Sequence, residues 1–402
     1  MKILFLSFYF PPDLCAGSFR AGALLDALLA AMPEDTVIEM ITTLPNRYSS
    51  FNSQAKEVEV GKHVCIHRIK LPLHKSGMLD QAKAFLSYAL GVIRLVRRKE
   101  YDIVISTSSR LMTAALGALI SRKKSVPLYL DIRDIFVDTM QDVLPATIAR
   151  LTYPFFTAIE RFTLNRAGHV NLVSAGFEQY FKDRYPELCY SFHTNGIDDE
   201  FVSSGKPDDR SAGFKEHNVS GSPLLVVYAG NIGEGQGLHL IIPKLADCLK
   251  NKVHFRIIGD GGRRAQLEKS IKDAGCLNVE LLPPMKREQL IEEYRRADIL
   301  FLHLNDYDAF KKVLPSKLFE YAAMGKPVWA GISGYSAQFA KEEITNSAVF
   351  HPCDHVSAAS TLASLKLEYT PRPDFVGKYL RTHIMKNMAR EIVAMLPQRP
   401  EE

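Results

Sequence analysis

Twice along this chain, short apolar runs alternate with helix-length amphipathic patterns, and that alternation restricts the fold more than any other feature. In the first half, the runs at 3–8, 37–42, 64–69, 103–106, 127–131, 169–173 and 190–193 read as strands. Patterns at 20–31, 79–97, 111–120 and 148–164 read as the helices between them. The second half repeats the scheme, with strands over 224–229, 253–258, 279–281, 299–302 and 327–330 and helices over 238–249, 263–274, 286–297 and 316–324. Parallel strands need crossovers, and an intervening helix supplies one, so each half predicts a doubly wound parallel sheet covered on both faces. The polar segment 203–223, with three glycines, two prolines and neither periodicity, is the expected linker. Two α/β domains facing across a cleft are therefore expected, over 1–200 and 201–374. The helical tail is expected to return to the first of them over about 375–402.

Size and composition agree with two cores: 402 residues, 47% hydrophobic and 24% charged. The six cysteines are scattered and form no C-x-x-C, so they read as buried thiols in a reducing compartment, and no structural metal is expected. The opening MKILFLSFYF is broken by Pro11-Pro12-Asp13 without a small-residue cleavage site, which makes it a first strand and not a secretory leader. No window reaches 18 uninterrupted apolar residues, so the expected location is the cytosol. The net charge of +5 is small but uneven: 56–124 holds 14 Lys/Arg against 5 Asp/Glu. No nucleic-acid recognition motif accompanies that excess.

Ligands of open α/β sheets bind outside the carboxyl ends of the strands, and five such places carry polar chemistry. In KKVLPSKLFEYAAMGKPV, residues 311–328, Ser316 is a candidate cap, Lys317 adds charge to a helix N-terminus, and Glu320 can accept from both hydroxyls of a ribose. The alternative is a pair of solvated first-turn residues. The loop from Gly230 to Gly237 and the Gly259-Asp260-Gly261-Gly262 turn, followed by Arg263 and Arg264, let backbone N–H groups approach a pyrophosphate, or are merely tight turns. Gly17 and Ser18 stand at the mouth of the first helix. Asp131-Ile132-Arg133-Asp134 ends a strand, where Arg133 is expected to keep both carboxylates ionised for charge stabilisation or acceptor binding; a surface ion cluster is the alternative. No G-x-S-x-G or Walker lysine motif is present, so hydrolase and kinase readings lose support.

With these elements in order, the chain resembles the family 4 retaining glycosyltransferases of the GT-B fold, two Rossmann-like domains, and within them a bacterial branch that makes lipid-linked surface polysaccharide and O-antigen units. The matching residues are the Gly17 loop with Arg20, Arg133-Asp134, Asn195-Gly196-Ile197-Asp198, the 228–238 loop, Gly259-Asp260-Gly261, Tyr294 with Ala297-Asp298, and Pro315-Ser316-Lys317 through Glu320 to Gly325-Lys326-Pro327-Val328. The resemblance implies a hexosyl or N-acetylhexosaminyl transfer from a nucleoside diphosphate sugar, UDP foremost, to a lipid-linked saccharide of polyprenyl diphosphate type. It implies retention of configuration, no metal or other cofactor, no nucleic acid, and a peripheral place at the inner face of the cytoplasmic membrane.

On that resemblance Glu320 holds the ribose, and the backbone at Pro284 and Met285 flanks the base. The diphosphate falls to Gly233, Gly259, Gly261 and Lys317, with Gly17, Ser316 and Leu318 completing the donor set. Asp134, Arg133 and Lys317 carry the chemistry, and Ser18, Arg20 and Asp131 face the acceptor. Three positions depart from the family pattern. Its usual Arg and Lys fall at Asn231 and Gln236, the first glutamate of its E-x7-E pair falls at Lys312, and Arg133-Asp134 stands where many relatives have His-Asp. Diphosphate neutralisation then shifts to Lys317, Arg263 or Lys312. A nucleotide-sugar 2-epimerase and a non-catalytic donor-binding homologue are the alternative functions. The basic excess suits a helix over 79–98 resting on anionic lipid, with Tyr153-Pro154-Phe155-Phe156 as a second contact, or else a core helix with a basic C-terminus.

Overall fold

The computed structural model describes residues 1–46, 55–72, 78–108, 110–143, 146–204 and 222–397. It divides into two compact units, Met1–Asn195 with Thr382–Glu402, and Gly196–Arg381. The crossings thus fall before 200 and after 374. The reason is local: Ile197 N–H donates to Tyr379 O and Arg381 N–H to Ile197 O, each at 2.7 Å, so both segments belong to the second unit. The expected linker at 203–223 lies mostly outside the described residues, and the chain has already crossed before it.

The first unit holds β1 (Lys2–Leu6), β2 (Val37–Thr43), β3 (Val58–Val60), β4 (Val64–Ile69), β5 (Ile103–Thr107), β6 (Leu128–Ile132), β7 (His169–Leu172) and β8 (Tyr190–Ser191). Their order is β3-β4-β2-β1-β5-β6-β7-β8, parallel except for β3 against β4. Central strands are buried on both faces, which is why they read as unbroken apolar runs. The helix Ala16–Ala31 packs beside the C-terminal helix Arg381–Ala394. Leu24 and Leu28 of one and Met385, Met388 and Ile392 of the other share a core with Ile3 and Phe5.

In the second unit β9 (Leu224–Ala229), β10 (Val253–Ile258), β11 (Val279–Leu282), β12 (Ile299–His303), β13 (Val328–Gly331) and β14 (Ser347–Phe350) form one parallel sheet, ordered β11-β10-β9-β12-β13-β14. The chain winds outward from β9 to β11, then returns to β12 on the other side of β9. The carboxyl ends of β9 and β12 therefore flank the point where the winding reverses, the usual place for a ligand crevice.

Candidate active site

Two glycine turns meet at the carboxyl ends of β9 and β10. Gly230 N–H donates to Ile258 O and Ile232 N–H to Asp260 O, each at 2.8 Å. A Cβ on Gly259 would collide with the Gly230 carbonyl, and one on Gly230 would collide with the Lys317 ammonium. Both glycines also have φ near 145° (143° and 146°), where a side chain is strained. Glycine here is what allows the loops to touch and lets Lys317 lie over them. The loop after β12 braces the same turn, with Asn305 N–H donating to Gly235 O at 2.8 Å and Asn305 Nδ2 to Glu234 O at 3.0 Å.

Lys317 reaches this spot from the first turn of the helix Ser316–Ala323, its Nζ 5.7 Å from the centre of the Tyr228 ring. Burial pulls the Lys317 ammonium below the usual lysine range, against the attraction of Glu320 one turn on. Burial pushes the Glu320 carboxyl up, opposed by Lys317 and then by Arg287. Behind Glu320, Arg287 is ion-paired to Asp198, and to Glu200 at 2.9 Å, with its guanidinium 4.8 Å from the Phe201 ring centre. Asp198 also receives Arg381. A carboxylate and an ammonium at a helix N-terminus, over a floor of backbone amides, are groups able to bind hydroxyls and an anion respectively.

Asn231 Nδ2 donates to Gln236 Oε1 at 2.7 Å, and Gly233 N–H reaches the same oxygen at 3.3 Å. Arg263 is ion-paired to Glu234, which also accepts from Tyr307 Oη at 2.7 Å, so much of its charge is already balanced. Gly261 carries the second glycine turn against Ile232. Lys312 ends the turn Asp308–Lys312 ahead of the site helix. Pro284 and Met285 follow β11 at the sheet edge, where Met285 packs against the core.

Two expectations at this helix are corrected. Ser316 is the first helical residue and not the cap: Pro315, with φ −65° and ψ 133°, occupies the cap position without a side-chain bond. Leu318 is fully buried in the core, and its N–H turns back to Pro315 O at 3.1 Å, so it offers nothing to a nucleotide.

The first unit corrects others. Arg20 and Asp131, expected to face an acceptor, are 1% and 0% exposed and bind each other through two contacts of 2.8 Å. Arg20 also donates to Thr194 O at 2.7 Å and His193 O at 2.8 Å. This pair ties a helix to two strand ends and has no face left for a ligand. Ser18 is likewise fully buried. Gly17 lies in the first turn of the helix Ala16–Ala31 and belongs to this unit. The two carboxylates flanking Arg133 also differ. Burial would raise Asp131, yet Arg20 overrides it and holds the carboxyl below its ordinary value. Asp134 reaches solvent, and surrounding protein pushes its carboxyl up against the pull of Arg133. Arg133 itself is half-buried, its N–H donating to Ser108 Oγ at 2.8 Å.

Residues 26–187 match the glycosyl transferase 4-like domain, and residues 209–381 match glycosyl transferases group 1. The chain is a glycosyltransferase. Over 352 residues it is 25% identical to an Escherichia coli (strain K12) protein provisionally named colanic acid biosynthesis glycosyl transferase WcaI, covering 81% of this chain and 82% of that one. Among solved structures, Anabaena HepE in complex with UDP and glucose superposes with a TM-score of 0.67 at 17% identity, covering 98% of this chain and 100% of HepE. WaaG, a glycosyltransferase involved in lipopolysaccharide biosynthesis, gives 0.65 at 15% identity, over 98% and 95%. At such identities the structural likeness carries the fold, two Rossmann-like domains of GT-B type.

The sequence reading missed Arg287, named Asp198 without its partner, and gave His303 no role at the site. Arg287 and Asp198 are 89 residues apart, and only the fold pairs them. His303 is fully buried: Nδ1 lies 2.7 Å from Gln236 O, and Nε2 accepts from Cys353 N–H at 2.9 Å. That fixes a neutral ring with the proton on Nδ1. The sign available in the sequence was a histidine ending an apolar strand, where burial demands that both ring nitrogens be satisfied.

Proposed function

We propose that this glycosyltransferase binds a nucleoside diphosphate sugar in its second unit and passes the hexosyl or N-acetylhexosaminyl group to a lipid-linked saccharide of polyprenyl diphosphate type, with retention and without a metal ion. The observation that carries the reading is Lys317 with Glu320 at the mouth of the helix Ser316–Ala323, over the Gly230 turn. Glu320 holds the ribose hydroxyls. Lys317 and the backbone amides of the glycine turns face the diphosphate.

In the transfer the bond between the anomeric carbon and the diphosphate oxygen breaks, and the diphosphate leaves with the electron pair. The acceptor hydroxyl oxygen bonds to the same face of the anomeric carbon, and its proton ends on the departing diphosphate. Charge grows on that leaving group, so a fixed ammonium and oriented N–H groups act where the transition state most needs them. Arg133 and Asp134 are the first unit's contribution to the chemistry. UDP as the nucleotide is supported by the HepE complex with UDP and glucose. A bacterial surface polysaccharide product, such as O-antigen, capsule or exopolysaccharide, made at the inner face of the cytoplasmic membrane, is supported by the names of WcaI and WaaG.

Thermal-shift titration with UDP, GDP, ADP and dTDP tests donor binding, since a ligand at one hundred times its dissociation constant stabilises by about 2.7 kcal/mol. The reading fails if none of the four stabilises the protein and Glu320→Ala leaves transfer in a membrane assay unchanged. The amides at Asn231 and Gln236 favour one second reading, donor binding without transfer. Slow donor hydrolysis with no acceptor product would establish that instead.

A further inference from the structure

Three successive carbonyls of the turn after β9 are held by the segment that leaves β12. Glu234 O accepts from Asn305 Nδ2 at 3.0 Å, Gly235 O from Asn305 N–H at 2.8 Å, and Gln236 O from the protonated Nδ1 of His303 at 2.7 Å. The carboxylate of Glu234 fastens the turn again, between Tyr307 Oη at 2.7 Å and Arg263. Phe310 lies so close over Gly235 that a Cβ there would stand 2.8 Å from its ring. A stretch with glycine at 230, 233, 235 and 237 has a wide conformational range of its own, and these contacts remove it.

The two holding residues are themselves held by one cysteine beyond β14. Cys353 N–H donates to His303 Nε2 at 2.9 Å, and its thiol donates to Asn305 Oδ1 at 3.4 Å. Cys353 has φ 61°, a left-handed backbone that a residue with a side chain seldom takes. Such a conformation persists only where its surroundings impose it, and it concentrates at functional sites. His303 and Asn305 are both buried, so they act on a ligand only through the turn they hold. A trans peptide points its N–H away from its C=O, so pinning Glu234 O turns the Gly235 N–H away from Asn305. The turn closes on itself through Gln236 N–H to Gly233 O at 3.3 Å and Gly237 N–H to Glu234 O at 3.1 Å. Neither Glu234 N–H nor Gly235 N–H takes part in those two bonds.

We propose that His303 and Asn305, locked by Cys353, are positioning residues that aim the N–H groups of Glu234 and Gly235 at the diphosphate of the donor. The need for them is electrostatic. Asn231 and Gln236 bring no charge to this turn and are spent on each other at 2.7 Å, while Arg263 is already paired with Glu234. What the turn offers an anion is therefore its amide dipoles, and these count most when their direction is fixed before the ligand arrives. Selectivity for phosphate is then a property of a braced backbone, with Lys317 as the cation beside it. The inference rests on the donor reading and names the residues that make that site phosphate-selective.

The test is calorimetric titration of the full chain with UDP and with uridine, which lacks the diphosphate. His303→Asn keeps an N–H donor near the place of Nδ1 and loses the acceptor for Cys353 N–H, whereas His303→Leu loses both. His303→Leu should cut the preference for UDP over uridine about tenfold, the worth of one or two neutral hydrogen bonds, with uridine affinity unchanged. His303→Asn should restore most of that preference, although it shares the lost Cys353 bond. Asn305→Leu, which frees Glu234 O, should behave as His303→Leu does and keeps the test open if that variant does not fold. An unchanged preference in the folded leucine variants, an equal weakening of both ligands, or the same loss in His303→Asn as in His303→Leu would each overturn the proposal and leave the donor reading standing. Wild-type protein that binds neither UDP nor uridine would overturn the donor reading, and this inference with it.

Discussion

Asn231 and Gln236 hydrogen-bond each other at 2.7 Å across the turn that follows β9, at the two positions where the resembling family carries cations. The amide pair stiffens the turn but brings no charge to it. Replacing both, Asn231→Arg with Gln236→Lys, should tighten nucleoside diphosphate binding about tenfold at low salt, since a charge-assisted bond to phosphate is roughly twice as strong as a neutral one. The gain should shrink as salt rises. Calorimetric titration with UDP at two salt concentrations measures it; a salt-independent affinity would mean that these positions do not face phosphate.

On the proposed donor reading, Lys317 sets an alkaline limit on donor binding, and Glu320 decides where it falls. Lys317 must be charged to meet phosphate, and burial has lowered its ammonium below the ordinary range while Glu320 partly restores it. UDP affinity should therefore decline on the alkaline side earlier than for a free lysine. Glu320→Gln removes the restoring charge, so the alkaline decline should move to still lower pH while overall affinity drops. UDP binding from neutral to alkaline pH distinguishes this from a merely structural Glu320, whose replacement would leave the position of the limb unchanged.

Most of the central sheet was legible because strands buried on both faces appear as continuous apolar runs, as in β1, β5 and β9. The exceptions have physical causes. The edge strand β3 has three residues with Val58 and Val60 49% and 79% exposed, so it shows no buried pattern at all. Strand β14 and the helix Gly334–Glu343 before it are short and went unread. At the site, local spacing exposed Lys317 and Glu320 because both sit in one helical turn. Arg20 and Asp131 showed only as charges near loop ends, since burial and pairing across 111 residues are properties of the fold. An aspartate within the buried run of β6 was the available hint, because such a charge has to find a partner.

His303 makes the second unit sensitive to acid. Burial depresses its imidazole from 6.5 to about 4, and the neutral ring is required to accept from Cys353 N–H. Between those values the unfolded chain binds the extra proton, so stability is fully present above 6.5 and falls by about 1.4 kcal/mol per pH unit toward 4, roughly 3 kcal/mol in all. Urea denaturation at stepped pH measures the slope. His303→Asn should lower stability at neutral pH and remove this share of the acid dependence.

The Arg20–Asp131 pair predicts a stability effect separable from activity at the donor site. Arg20→Gln strands a fully buried carboxylate that now also leans on Asn171, which donates to Asp131 Oδ1 at 2.7 Å. Breaking one partner of such a pair costs about 3–5 kcal/mol, whereas replacing both with apolar groups of similar volume is often near neutral. Arg20→Met with Asp131→Leu should therefore recover much of what Arg20→Gln loses, less the bonds Arg20 makes to His193 O and Thr194 O. The UDP thermal shift should survive in both variants, because every residue assigned to the ribose and to Lys317 lies in the other unit. If Arg20→Gln unfolded normally but abolished transfer, Arg20 would be facing the acceptor after all.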